Sequence, residues 1–152
     1  MIKIIPNFLT VEECDAIISL WNDAKSNEVN DNIYRFKGMD LLSIIDDLNL
    51  PTKIKIKKHY TILRLQLVDE TIDQVEYYHA HTEPFSFAIF LNDDFEGGEL
   101  IFLNQDAIKP TKGSMVYFTG DERHKVEKTI GKRFTLIAFL IKDILEKTNK
   151  LI

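Results

Sequence analysis

The apolar positions change period once along the chain, near residue 51. Before that point they recur at helical spacing. Val11, Cys14, Ile17, Ile18 and Trp21 form one stripe, and Thr10-Val-Glu-Glu13 in front of them has the form of a capping box. A helix should therefore begin near Thr10 and bury one face. The polar stretch over 25–32 reads as a loop. Leu41, Leu42, Ile44, Ile45 and Leu48 predict a second, shorter helix over about 39–48, ended by the Asn49-Leu50-Pro51 break.

Beyond Pro51 the period is two. Lys53-Ile-Lys-Ile-Lys57 alternates strictly, and further strands are expected over 60–68, 75–80, 85–91, 100–103, 114–118, 125–130 and 134–141. Asn92-Asp-Asp94, Gly97-Gly98, Lys109-Pro110, Lys112-Gly113 and Gly120-Asp121 supply the turns between them. Two N-terminal helices followed by evenly spaced short strands predict a mainly β (α+β) fold, a β-sandwich or jelly roll with the helices packed on one face. The tail from Lys142 is a candidate for a last short helix. Nothing in the pattern divides the chain, so one domain over 1–152 is expected, with helical support over about 1–50 and a β core over about 52–141.

Composition narrows the class. At 152 residues and 45% apolar content, a chain can build a core without disulfides or a structural metal. The single cysteine, Cys14, sits on the helical apolar stripe and is expected to be a small buried hydrophobe. Its isolation points to a reducing, cytoplasmic setting. The net charge of −5 argues against binding a phosphate backbone. Lys53, Lys55 and Lys57 are then expected to solvate an edge strand rather than form a binding patch. No apolar run reaches membrane-spanning length, and Met1-Ile-Lys-Ile-Ile-Pro6 is too short for the apolar region of a signal peptide, so a soluble protein is expected.

The candidate chemistry lies among four histidines. His81-Thr82-Glu83 is an H-x-E sequence at the end of a predicted strand. His124 opens another strand about forty residues later, where a jelly roll brings distant strands face to face. Two imidazoles and one carboxylate on one side of a metal leave the opposite positions open, the arrangement of non-haem Fe(II) oxygenases. His81 and Glu83, two apart on a strand, would project from one face toward a shared ion. His79 has the same parity, so His79/His81/His124 is the alternative set. His59 is assigned no role.

Four ordered segments carry a more specific signal. They are Ile5-Pro-Asn-Phe-Leu-Thr-Val-Glu-Glu-Cys-Asp-Ala-Ile-Ile18, Phe90-Leu-Asn-Asp-Asp-Phe-Glu-Gly-Gly-Glu-Leu-Ile-Phe102, Pro110-Thr-Lys-Gly-Ser-Met-Val-Tyr-Phe118, and His124-Lys-Val with Gly131-Lys-Arg-Phe-Thr135. In these the chain resembles the 2-oxoglutarate and Fe(II)-dependent dioxygenases, in their prolyl 4-hydroxylase-like branch, over nearly its whole length.

The resemblance implies a double-stranded β-helix with His81, Glu83 and His124 as iron ligands. It implies Arg133 gripping the distal carboxylate of 2-oxoglutarate through parallel hydrogen bonds. Thr135 and Ser86 are implied as further hydroxyls for that co-substrate, and Tyr78 as a pocket residue. The implied cofactors are Fe(II) and 2-oxoglutarate, with ascorbate as an auxiliary reductant. The implied reaction hydroxylates an unactivated carbon, a prolyl residue of a peptide or protein, consuming dioxygen and releasing succinate and carbon dioxide.

Three departures from the family pattern shape the expectation. Glu83 stands where the family usually has Asp. Only Pro84 and Phe85 separate Glu83 from Ser86, which implies a more open substrate mouth, a different substrate, or a carboxylate ligand other than Glu83. Phe90 replaces a tyrosine that contacts the co-substrate in several relatives. The competing readings are a catalytically silent jelly-roll binding domain and an alkylated-base demethylase, the latter disfavoured by the acidic balance. No membrane or nucleic-acid partner is expected, and the acidic surface suits a neutral or basic peptide.

Overall fold

The computed structural model describes residues 1–23, 30–31, 37–55, 62–69 and 77–144. Its first elements are β1 (Ile2–Ile5), α1 (Val11–Asp23), β2 (Asn30–Asp31), β3 (Lys37–Asp40), a 3-10 helix (Leu42–Asp47) and α2 (Thr52–Lys55). Strands follow: β4 (Ile62–Asp69), β5 (Phe85–Phe90), β6 (Glu96–Gly97), β7 (Leu100–Phe102), β8 (Met115–Thr119), β9 (His124–Val126), β10 (Thr129–Ile130) and β11 (Phe134–Leu140). A seven-stranded antiparallel sheet runs in the order β1-β8-β5-β11-β4-β3-β2. Two ribbons, β7-β9 and β10-β6, complete the second layer.

Alternation along the large sheet sorts its side chains onto two faces. Ile89 of β5, Leu136 and Ala138 of β11, Tyr117 of β8 and Leu65 and Leu67 of β4 are buried against Cys14 and Ile17 of α1, Ile45 of the 3-10 helix and Ile54 of α2. Each large aliphatic side chain buried there contributes about 1.5–3 kcal/mol. The expected capping box forms: Glu13 N–H donates to Thr10 Oγ1 at 3.1 Å, and Thr10 N–H donates to Glu13 Oε1 at 2.9 Å.

The opposite face carries the site. Register places Ser86, Ala88 and Phe90 beside Phe139, Ile137 and Thr135, and these beside Arg64, Gln66 and Val68. Phe118 and Val116 of β8 continue the same face. Ribbon β7-β9 folds over it, so that Phe90, Val116 and Phe118 meet Leu100 and Phe102 in a second core.

Several elements differ from expectation for local reasons. Met39 and Asp40, expected to open a helix, belong to β3, where Met39 pairs with Leu67 and is buried. Asp40 Oδ1 then accepts Leu42 N–H at 2.9 Å, turning the chain into a 3-10 helix. The alternating lysines are not an edge strand over their described part. Pro51, with its fixed φ, starts a single helical turn through Ile54 N–H to Pro51 O at 2.9 Å. Only Ile54 needs burial there, which alternation also satisfies. Lys53 Nζ donates to the Phe8 carbonyl and lies 4.7 Å over the Phe8 ring, tethering α2 to the approach to α1.

The expected strand over 125–130 is broken into β9 and β10. Between them Glu127 N–H bonds to Glu99 O, and Gly98 N–H bonds to Lys128 O. Gly97, with φ of 69°, allows this approach, since a Cβ there would lie 2.1 Å from the Lys128 carbonyl oxygen. Strands β1, β3 and β6 have no counterpart in the sequence pattern, and β2 falls within the expected 25–32 loop, paired with β3. His59, most of the 25–32 loop, the start of the 75–80 strand and most of the expected C-terminal helix lie outside the described residues.

Candidate metal centre

At the edge of the site-bearing sheet face the irregular segment around His79 and His81 runs antiparallel to the start of β9 and the turn before it. His79 and His124 exchange both backbone hydrogen bonds at 2.9 Å, and His81 N–H donates to Gly120 O at 2.8 Å. Directly paired residues share a face, and His81, two beyond His79, shares it too. The three imidazoles therefore converge. Ring centroids are 4.3 Å apart for His79 and His124, 4.8 Å for His81 and His124, and 5.7 Å for His79 and His81. One ring nitrogen from each lies within 4.8 Å of the others. Gly120 makes the approach possible, because a Cβ there would sit 1.9 Å from the Glu83 carbonyl oxygen.

Hydrogen bonds orient the rings. His124 Nδ1 lies 2.9 Å from the Glu122 carbonyl oxygen, which can only accept, so Nδ1 carries the proton and Nε2 keeps its lone pair. His81 Nδ1 lies 2.7 Å from Ser86 Oγ; with Nδ1–H donating, Nε2 is again left for a metal. The walls are aromatic: Phe118 and Phe139 against His81, Phe102 and Phe118 against His124. Burial among these rings, reinforced by the neighbouring imidazoles, lowers the pKa of His81 and His124 to about 4, and burial lowers that of His79. All three are thus neutral at pH 7, the state a metal requires.

The donor set fits a first-row ion. Metal–imidazole bonds of roughly 2.1 Å would put donor atoms about 3.0–3.4 Å apart, inside the 4.8 Å within which these nitrogens lie. Three imidazoles suit iron, zinc, copper or nickel.

Glu83 lies outside this cluster. Its Oε1 accepts a hydrogen bond from Arg64 Nη2 at 2.9 Å and its Oε2 one from Thr82 Oγ1 at 2.8 Å. Partial burial opposes ionisation, but these hydrogen bonds and the Arg64 charge outweigh it and hold the carboxyl below its ordinary pKa. The reason for its direction is local: residues 82–84 form a bend, so strand alternation holds from His79 to His81 and ends before Glu83.

Deeper on the same face, Arg133 is 2% exposed. Its Nε donates to Gly98 O at 3.0 Å, its Nη1 to Thr135 Oγ1 at 2.8 Å, and its guanidinium lies 5.4 Å over the Phe90 ring. Gly98 leaves room for it, since a Cβ there would be 3.0 Å from Arg133 Cδ. Beside Gly98 lies Thr129, 4% exposed, whose hydroxyl has no hydrogen-bond partner among the described residues. A buried guanidinium flanked by two hydroxyls, one of them lacking a partner, suits a carboxylate.

Tyr78 is placed elsewhere. Alternation turns it away from His79 and His81, and Lys125 Nζ lies 5.1 Å from the centre of its ring. Tyr77 is the aromatic residue on the histidine side, 6.2 Å from the His79 ring. Sequence reasoning missed Tyr77, Thr129, Arg64 and Phe139. Arg64 carried a signal: with Gln66 it forms a polar set alternating with buried Leu65 and Leu67, which marks a strand with a polar inner face.

Comparison with known proteins agrees with this architecture. Residues 65–141 match the family model described as 2OG-Fe(II) oxygenase superfamily. Human prolyl 3-hydroxylase 2 is 40% identical over 68 residues, covering 39% of this chain and 10% of that protein, so the chain spans about a tenth of its length. Among solved structures, a Pseudomonas putida prolyl-4-hydroxylase aligns with a TM-score of 0.65 and 15% identity, covering 93% of this chain and 92% of that one. HygX from Streptomyces hygroscopicus, with nickel and 2-oxoglutarate bound, aligns with a TM-score of 0.70 and 13% identity, covering 96% and 84%. At such low identities these superpositions show a shared fold alone, the jelly roll expected from the strand pattern. The family-model match extends over half of the sequence, and on that ground the chain belongs to the 2OG-Fe(II) oxygenase superfamily.

Proposed function

We propose that the protein is an Fe(II)- and 2-oxoglutarate-dependent dioxygenase that hydroxylates an unactivated carbon of a prolyl residue in a peptide or protein. The observation that carries the reading is the pairing, on one side of the large sheet, of three neutral imidazoles with the buried Arg133–Thr135 pair. His79, His81 and His124 would hold the metal, His81 and His124 through the nitrogens left by their contacts to Ser86 and the Glu122 carbonyl. Arg133 takes the distal carboxylate of 2-oxoglutarate, with Thr135 and Thr129 as hydroxyl partners. Phe118 and Phe139 pack against the His81 ring and Phe102 and Phe118 against that of His124. When bound, iron would activate dioxygen, the oxidant, which takes two electrons from 2-oxoglutarate as that is converted to succinate and carbon dioxide and two from the substrate C–H bond.

The prolyl assignment is supported by the prolyl hydroxylases among the similar proteins. The exposed Tyr77 ring beside His79 offers an apolar surface against which a pyrrolidine ring can pack. The short 82–85 turn leaves the mouth open to an extended chain. A reducing, cytoplasmic setting, with ascorbate as auxiliary reductant, would keep the iron ferrous.

Purified anaerobically, the protein should bind Fe(II) and, on admission of oxygen, convert 2-oxoglutarate to succinate slowly even without substrate. Proline-containing peptides should accelerate this and gain one oxygen by mass spectrometry. Absence of both iron binding and succinate formation refutes the enzyme reading; succinate formation that no prolyl peptide stimulates refutes the substrate.

A further inference from the structure

We propose that Glu83 is a positioning residue of the metal centre rather than a ligand. Its carboxylate locks Arg64 over the Phe139 ring, and that ring fixes the imidazole of His81. The proposal rests on the three-histidine reading of the site.

The contacts form a continuous chain. Both Glu83 carboxylate oxygens are engaged, by Arg64 Nη2 at 2.9 Å and Thr82 Oγ1 at 2.8 Å. The Glu83 side chain is only 13% exposed, against 54% for Arg64, so the carboxylate is the settled partner and the guanidinium the half-exposed one. The Arg64 guanidinium carbon lies 4.2 Å from the centroid of Phe139, within cation–π range. The Phe139 centroid lies in turn 4.9 Å from that of His81.

The clamp stands on rigid sheet. Arg64 pairs with Phe139 and Phe139 with Ser86 on three adjacent strands, and Ser86 Oγ reaches His81 Nδ1 at 2.7 Å. His81 itself lies outside any regular strand, on a segment joined to Gly120 by its backbone N–H. Its ring is therefore aimed by side chains: Ser86 holds one nitrogen, and Phe139, backed by Arg64, holds the ring plane. Turning Glu83 toward the metal would forfeit both of its hydrogen bonds and take the carboxylate from behind Arg64.

A ligand and a positioning residue respond differently to loss of Arg64. The test is Co(II) titration of the metal-free protein, read by visible absorption, for wild type, Arg64→Ala, Glu83→Ala, the double variant and His79→Ala, each first checked for folding by circular dichroism. Glu83→Gln and Arg64→Lys serve as milder replacements should an alanine variant fail to fold. Arg64→Ala and Glu83→Ala should each weaken Co(II) binding by about three- to tenfold, with the double variant no worse than either and the Co(II) spectrum unchanged in shape. The proposal is overturned if Glu83→Ala abolishes binding or reshapes the spectrum while Arg64→Ala leaves affinity unchanged or tighter, since that is the behaviour of a ligand freed from its partner. It is equally overturned if neither change alters affinity. His79→Ala tests the underlying reading separately: undiminished affinity there removes His79 from the ligand set.

Discussion

Acid should weaken the metal-free protein through its histidine cluster, by an amount that follows from the burial of His124. That side chain is 5% exposed, and its pKa is lowered from 6.5 to about 4 by desolvation, against the opposing hydrogen bond to Glu122. Because the folded-state pKa lies below the unfolded one, the unfolded chain binds more protons between these values, and stability falls as pH falls. The contribution is fully present above about pH 6.5. At about 1.4 kcal/mol per unit, His124 alone costs about 2 kcal/mol by pH 5 and about 3 kcal/mol near pH 4. His81, also lowered to about 4, shifts stability in the same direction. Against a typical total of about 5–15 kcal/mol, this is a large loss. Urea denaturation of the metal-free protein at pH 7.5, 6.5, 5.5 and 4.5 measures it. The expected slope between pH 6.5 and 4.5 is at least one proton, and His124→Asn should reduce it by about one. A free energy flat between pH 7 and 5, or a His124 imidazole titrating near 6.5 by NMR, would refute the burial argument.

Other consequences concern binding and packing. Arg133→Ala should raise the 2-oxoglutarate dissociation constant about a hundredfold or more in calorimetry, with Arg133→Lys recovering only part, because lysine lacks the planar fork. Thr129→Val should act with opposite signs: about 1 kcal/mol of added stability without co-substrate, from removing a buried hydroxyl that lacks a partner among the described residues, and weaker 2-oxoglutarate binding. Ser86→Ala, which removes the 2.7 Å contact to His81 Nδ1, should weaken metal binding about 10–100-fold in a Co(II) titration. Gly120→Ala should cost about 1–3 kcal/mol in a denaturation curve, because its Cβ meets the Glu83 carbonyl rather than a movable side chain.

The fold was legible where one period ran long enough to leave a single reading. The stripe from Val11 to Trp21 with its capping box gave α1, and the alternation over 85–91 and 134–141 gave the two central strands β5 and β11. It was least legible where tertiary pairing overrode local preference. Met39 serves β3 through its partner Leu67, which is invisible to local pattern, and Ile2–Ile5 is a strand only because β8 lies beside it. Residues 53–55 show the limit of period counting, since a helical turn and a two-residue alternation demand the same single buried isoleucine.

The candidate site divides along the same line. Arg133 and Thr135 were legible because Thr135 lies on the inward face of β11 and Arg133, two residues before it and immediately ahead of the strand, keeps the same parity: register sets Thr135 beside Phe90 on one side and Val68 on the other. The third histidine and the carboxylate were not separable by sequence, since His79, His81 and Glu83 all share one parity. Parity orients side chains only while the chain stays extended. The bend over 82–84, followed at once by the start of β5 at Phe85, turns the backbone between His81 and Glu83. The short turn thus decides which side chains face the cluster. It sends the carboxylate to Arg64 and leaves His79, held opposite His124 by paired backbone hydrogen bonds, facing the other two imidazoles.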